Sequence, residues 1–171
     1  MRRTLVLLIA TLLLACGGKE SGITTEQISR EPLSVRGWVN DVKDVKKGET
    51  IEMEIARRQQ IFQATSIWVE NSPYSSGGIA ENGAFVILDV PPGTATIGFN
   101  APGAPEAKLV LENVPGSADV FIPDVVLEPG GATVLDPSKI AVRIASRADA
   151  PRPTGQTARV AGYDVPVFEA P

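Results

Sequence analysis

Glu81-Asn82-Gly83-Ala84-Phe85-Val86-Ile87-Leu88-Asp89-Val90-Pro91-Pro92-Gly93 decides the fold. It reads as turn, strand, turn. Asn-Gly is a favoured hairpin turn because both residues tolerate positive φ. Ala84 to Val90 follows as a β-prone run, with Phe85 and Ile87 on one face and Val86 and Leu88 on the other. Apolar residues on both faces predict a central strand. Pro91-Pro92-Gly93 then ends it, since proline removes a ladder donor and glycine supplies a sharp bend.

The same grammar runs outward in both directions. Ser34 to Val42 places Val35, Gly37 and Val39 on one face and Arg36, Trp38 and Asn40 on the other. Ser66 to Glu70 points Ile67 and Val69 inward and Trp68 outward. Thr94 to Asn100, Lys108 to Asn113 and Ala118 to Leu127 keep the period of two. Between them stand Asn71-Ser72-Pro73, Gly77-Gly78, Pro102-Gly103, Pro115-Gly116 and Pro129-Gly130-Gly131, each a turn signal. Six short strands so punctuated predict a mainly β fold, an antiparallel β-sandwich or barrel. Its core is expected to hold Val35, Ile67, Val69, Phe85, Ile87, Ile97, Phe99, Leu109, Leu111 and Phe121.

Glu49 to Gln63 breaks the rhythm. It is rich in helix formers, spaces Ile51, Ile55 and Phe62 near a helical stripe and offers Glu54 and Arg58 as an i,i+4 pair. One short helix inserted between the first and second strands is the favoured reading. Ile51, Met53 and Ile55 also alternate, so a strand is the rival. After residue 135 the pattern loosens. Ile140, Val142 and Ile144 mark one further strand, Ser146 to Thr157 is Pro-rich and irregular, and Ala161-Gly162 is placed to turn a small hairpin.

The N-terminus sets the compartment. Arg2 and Arg3 precede the apolar run Leu5 to Ala15, which closes as Leu13-Leu14-Ala15-Cys16. Positive residues, an apolar stretch and a small residue before the cleavage point are the layout of a secretory signal helix. The run is far short of the ~20 residues a membrane span needs. Cys16 is the only cysteine, so no intrachain disulfide can form. The segment resembles a bacterial lipoprotein signal. That resemblance implies cleavage before Cys16, attachment of diacylglycerol and palmitate to that cysteine, and membrane anchoring through it; Gly17 resembles the residue found there in outer-membrane sorting. Gly17 to Pro32 is small and polar and reads as a flexible tether. The expected organisation is a signal peptide over 1–15, a tether over 16–32, a sandwich domain over 33–135 and a C-terminal extension with one or two short strands over 136–171.

A second resemblance rests on the opening stretch. Asn82-Gly83-Ala84-Phe85 to Val90-Pro91-Pro92-Gly93 is similar to the core motif of carboxypeptidase regulatory-like domains, which are transthyretin-like β-sandwiches, and Val35-Arg36-Gly37-Trp38-Val39 resembles their opening strand. It covers about residues 33–131. It implies a non-catalytic domain and transfers no active-site residue.

Composition narrows the chemistry. The chain has 16 basic and 20 acidic residues, a net charge of −4. Without Arg2 and Arg3 the balance is 14 against 20, or −6, which argues against nucleic-acid binding. There is no histidine, so the commonest general base and the commonest transition-metal ligand are missing. Asp41, Asp44, Glu49, Glu81, Asp89 and Asp119 lack the compact spacing of a calcium loop, and no metal or cofactor is expected. Trp38 and Trp68 fall on the outward phase of their strands. Another segment covers them, or they form, with Tyr74, a flat face for a glycan or a partner's apolar anchor, or they stay partly exposed without function. The expected function is a lipid-anchored, non-catalytic interaction module of a bacterial cell envelope with an envelope protein as partner; a carbohydrate-binding module is the alternative.

Overall fold

The Asn82-Gly83 turn closes as the three-residue loop Glu81–Gly83. Gly83 N donates to Ala80 O and Ala80 N to Ala84 O, both at 2.8 Å, and Gly83 has φ 84°. A left-handed residue at the end of such a loop is a common hairpin solution, and glycine adopts it without strain. A Cβ here would also lie 2.2 Å from the Val39 carbonyl oxygen. The computed structural model describes residues 31–42, 50–128, 130–147 and 149–171. The signal segment, Cys16 and the tether up to residue 30 lie outside them, as do residues 43–49.

Eleven strands and one α-helix follow in order among the described residues. They are β1 (Leu33–Val42), α1 (Ile51–Ala64), β2 (Ser66–Val69), β3 (Ser72–Gly78), β4 (Ala84–Val90), β5 (Gly93–Asn100), β6 (Ala107–Val114), β7 (Ala118–Glu128), β8 (Gly131–Val134), β9 (Ala141–Ala145), β10 (Arg152–Val160) and β11 (Tyr163–Ala170). The hydrogen-bonded path runs β3-β2-β5-β6-β10-β11-β9-β7-β1-β4, with β8 beside β7. Its two ends meet again at the bridge between Ile79 and Phe85. The path therefore folds into two layers, β3-β2-β5-β6 and β4-β1-β7-β9. The β10–β11 hairpin joins them along one side. The mainly β, sandwich-like architecture is as expected. Two of its pairings, β1 with β7 and β9 with β11, are parallel, so the sheet is mixed rather than wholly antiparallel.

One buried cluster fills the space between the layers. Ile67, Ile97, Phe99, Leu109 and Leu111 come from one side and Val35, Ile87, Val120, Ile122 and Val142 from the other, each 1% exposed or less. Phe85 and Phe99 meet across the gap with ring centroids 5.8 Å apart and planes at 82°, the edge-to-face geometry aromatic pairs favour. Replacing Phe99 by alanine should cost about 3–5 kcal/mol. Urea unfolding should show the loss as a lower midpoint with an unchanged slope.

Phe121 is the exception in the expected core. Val120 and Ile122 take the inward positions, and Phe121 is half-buried on the outer face. The alternation of Ala118, Val120 and Ile122 against Asp119 and Phe121 sets the phase, and size does not override it. Gly77 and Gly78, expected in a turn, instead pair with Ile67 and Ser66 inside β3. Ser75 secures the β3–β4 seam: it is 1% exposed, and its Oγ donates to the Asp89 carbonyl at 2.7 Å.

The helix reading holds over the strand reading. Thr50 Oγ1 accepts from Met53 N at 3.3 Å as an N-cap, and Glu54 pairs with Arg58 at 2.6 Å. Only the far end of the expected stripe is covered. Phe62 is buried near Gly83, whereas Ile51 and Ile55 are exposed, because α1 docks by its C-terminal half on the end of the sandwich.

The chain beyond residue 135 carries three strands rather than one or two. Through β10 and β11 it contributes Ala158, Val160, Val165 and Val167 to the shared core. The hairpin expected at Ala161-Gly162 forms there, with φ of 52° and 85° and Val160 opposite Tyr163.

Candidate functional site: the outer face of one layer

The strands of the β4-β1-β7-β9 layer present two rows of side chains outward. Val86 lies opposite Arg36, Arg36 opposite Phe121 and Phe121 opposite Ala141. Beside this row, Ser34 lies opposite Asp119 and Asp119 opposite Arg143. The register is fixed because the alternate residues Val35, Ile87, Val120 and Val142 are locked in the core.

Arg36 organises the centre. Its Nε donates to Asp119 Oδ1 and Oδ2 at 3.1 and 3.0 Å, and its Nη2 donates to Oδ2 at 2.7 Å. Ser34 Oγ also donates to Asp119 Oδ1, at 3.1 Å. Hydrogen bonding to Asp119, and then its charge, raise the Arg36 pKa above its ordinary value. The planar fork explains why arginine suits this position: it holds a carboxylate edge-on while its face stays free to stack. That face lies over Phe121, 5.6 Å from the ring centroid. Trp38 meets the same ring edge-on at 5.4 Å and 80°. Trp38, Val86 and Leu88 are 44, 55 and 60% exposed. An apolar surface this open, built on a rigid sheet and centred on Trp, Phe and Arg, has the composition of a binding hot spot.

Of the residues expected at a ligand face, only Trp38 stands on this surface. Trp68 belongs to the opposite layer and points out of its far side, since its neighbours Ile67 and Val69 are buried in the common core. The indole is half-buried against Gly98, directly across the ladder. A Cβ at Gly98 would sit 2.4 Å from Trp68 Cε2 and Cζ2, so the missing side chain makes room for the ring. Tyr74 lies in β3, in Trp68's layer rather than Trp38's. No single flat ligand can touch both tryptophans. With Phe in place of Trp68, the remaining indole should quench strongly with acrylamide. With Phe in place of Trp38, quenching should be weaker, and Gly98→Ala should raise it by lifting Trp68.

Val86, Leu88, Arg36 and Phe121 escape a reading of the sequence for different reasons. Val86 and Leu88 sit in a run that predicts a central strand. Instead β4 ends the path, and among the described residues no helix covers its outer face. Phe121 reads as core, and Arg36 as a solvated charge. The available signal is the pairing of both phases of Ala84–Val90 with a tryptophan on the polar phase of another strand.

Among the described residues, no group of three or more Asp, Glu or Cys is arranged to hold a metal, and no helix is long and apolar enough to cross a membrane. No family model matches the sequence, and no curated protein matches it either.

Proposed function

We propose that this chain is a lipid-anchored, non-catalytic module of a bacterial cell envelope that holds a protein partner on the outer face of β4, β1 and β7. The exposed cluster of Trp38, Val86 and Leu88 around the Arg36–Phe121 stack carries this reading. Large apolar side chains in open water are costly unless something covers them in use. The bidentate Arg36–Asp119 pair keeps the cluster preorganised, so a partner meets a surface already in its bound shape. The motif at Leu13 to Cys16 supports the anchor, and the resemblance at residues 81–93 supports a non-catalytic sandwich. A glycan-binding role has less behind it, because Trp38 and Trp68 stand on opposite layers and share no platform.

Affinity purification of the acylated chain from detergent-solubilised envelopes tests the proposal. Leu88→Glu should reduce the co-purified partner at least tenfold, on the order of the ~1.4 kcal/mol or more expected at a hot spot. Its circular dichroism should match the parent. A folded Leu88→Glu protein that keeps its full complement of partners would refute the assignment of this face.

A further inference from the structure

The outer face does not stop at β7. The register continues from Arg143 of β9 to Phe168 of β11. There the sheet is notched, because β11 runs past the start of β9. A groove of about 410 Å³ lies between the first half of β11 and the 3-10 turn Pro137–Lys139. Asp136 caps that turn by accepting from Ser138 N at 3.2 Å. The floor is apolar: Ile140 and Val165 are 6 and 5% exposed, and Pro137, Pro166 and Phe168 form the walls.

Two charged residues line the groove, Arg143 and Asp164. Both are exposed, and neither side chain has a hydrogen-bond or ion-pair partner among the described residues. Asp119, directly across the ladder from Arg143, is committed to Arg36, and Arg159, directly across the ladder from Asp164, pairs with Glu112 at 3.7 Å. Asp164, Pro166 and Phe168 share the outward phase of β11, because Val165 and Val167 point into the core. Phe168 lies opposite Arg143. Asp164 is four residues earlier in the strand and so stands about 13 Å along it from Arg143. An extended polypeptide projects residues i, i+2 and i+4 to one side over that same distance.

We propose that this groove takes an extended segment of the partner polypeptide, of the form acid-x-apolar-x-base. The acid meets Arg143, the base meets Asp164, and the apolar side chain seats on Pro166 and Phe168. The inference rests on reading this face as a partner surface and adds the chemistry of one anchor. Recognition runs through side chains rather than strand addition, because Pro166 has no N–H to offer a ladder.

The probe is a set of capped synthetic peptides with the core Glu-Gly-Leu-Gly-Lys, its Glu/Glu and Lys/Lys versions, and a version with Gly in place of Leu. Each is titrated into the isotope-labelled mature chain, with NMR shifts of Arg143 and Asp164 as the readout. The mixed-charge peptide should bind about 3–5-fold more tightly than either like-charged one, the scale of exposed ion pairs. The Leu-to-Gly peptide should lose binding. R143D should shift preference to the Lys/Lys peptide, and D164R to the Glu/Glu peptide. An unfolded variant cannot produce such a reversal. Indifference to peptide charge, or an unchanged preference in R143D, overturns the proposal. If no peptide binds while Leu88→Glu still strips the partner away, the groove inference fails and the wider function stands.

Discussion

A chain ending at residue 135 should not fold. Within the deleted segment, Val142, Val160, Val165 and Val167 are each 5% exposed or less. Burying a valine-sized side chain is worth about 1.5–3 kcal/mol, so four supply about 6–12 kcal/mol. The whole stability of a domain is about 5–15 kcal/mol. Deletion would also strip β6 and β7 of ladder partners, leaving unpaired edges and an open core. The expected result is an insoluble or protease-sensitive product without a cooperative urea transition. Tyr163→Ser, in the same hairpin but 43% exposed, should change stability by no more than about 0.5 kcal/mol. A soluble, cooperatively unfolding 1–135 chain would show that the seam between the layers is dispensable.

Cys16→Ser should release the protein from the membrane. Each methylene buried in lipid contributes about 0.8 kcal/mol, and one acyl chain holds only marginally, whereas two or more anchor stably. The described residues hold no membrane-spanning helix to replace the anchor. Labelled palmitate should enter the parent and not the variant, and the variant should move to the soluble fraction after carbonate washing. Equal membrane retention of both would remove the lipid anchor from the account. The outer-face proposal would survive that result, since it depends on Trp38, Val86 and Leu88 and not on Cys16.

Much of the fold is written locally. The hairpins at Asn82-Gly83 and Ala161-Gly162 each turn on a glycine at positive φ, 84° at Gly83 and 85° at Gly162, and the inward positions of Val35, Ile67, Ile87, Ile97 and Leu109 follow from alternation alone. The Glu54–Arg58 pair shows that helix spacing wins over the rival alternation in α1. What alternation cannot encode is which strand lies beside which. The parallel pairing of β1 with β7 joins residues about 85 positions apart, as Ser34 and Asp119 show, and depends on layer packing rather than any local turn. The inversion of Phe121 has the same root. A large aromatic in an apolar run looks like core until the phase of its neighbours is counted.

The candidate site was half legible. Trp38 announces itself as an aromatic on a polar phase. Its partners do not, because Val86 and Phe121 become a surface only when β1 places them side by side. Trp68 carries the same local signal as Trp38 and ends differently, since Gly98 across the ladder gives its ring a place to lie. Arg143 and Asp164 join one groove through the offset of β11 against β9, a long-range feature again.

Site-specific photo-crosslinking in the producing cell tests the central claim most directly. A benzophenone side chain at position 86 reports on the outer face of β4, and one at position 76 reports on the exposed surface of the other layer. A discrete protein adduct from position 86, with none from position 76, is the predicted result. Adducts of equal yield from both positions, or from neither in a folded and acylated protein, would contradict it.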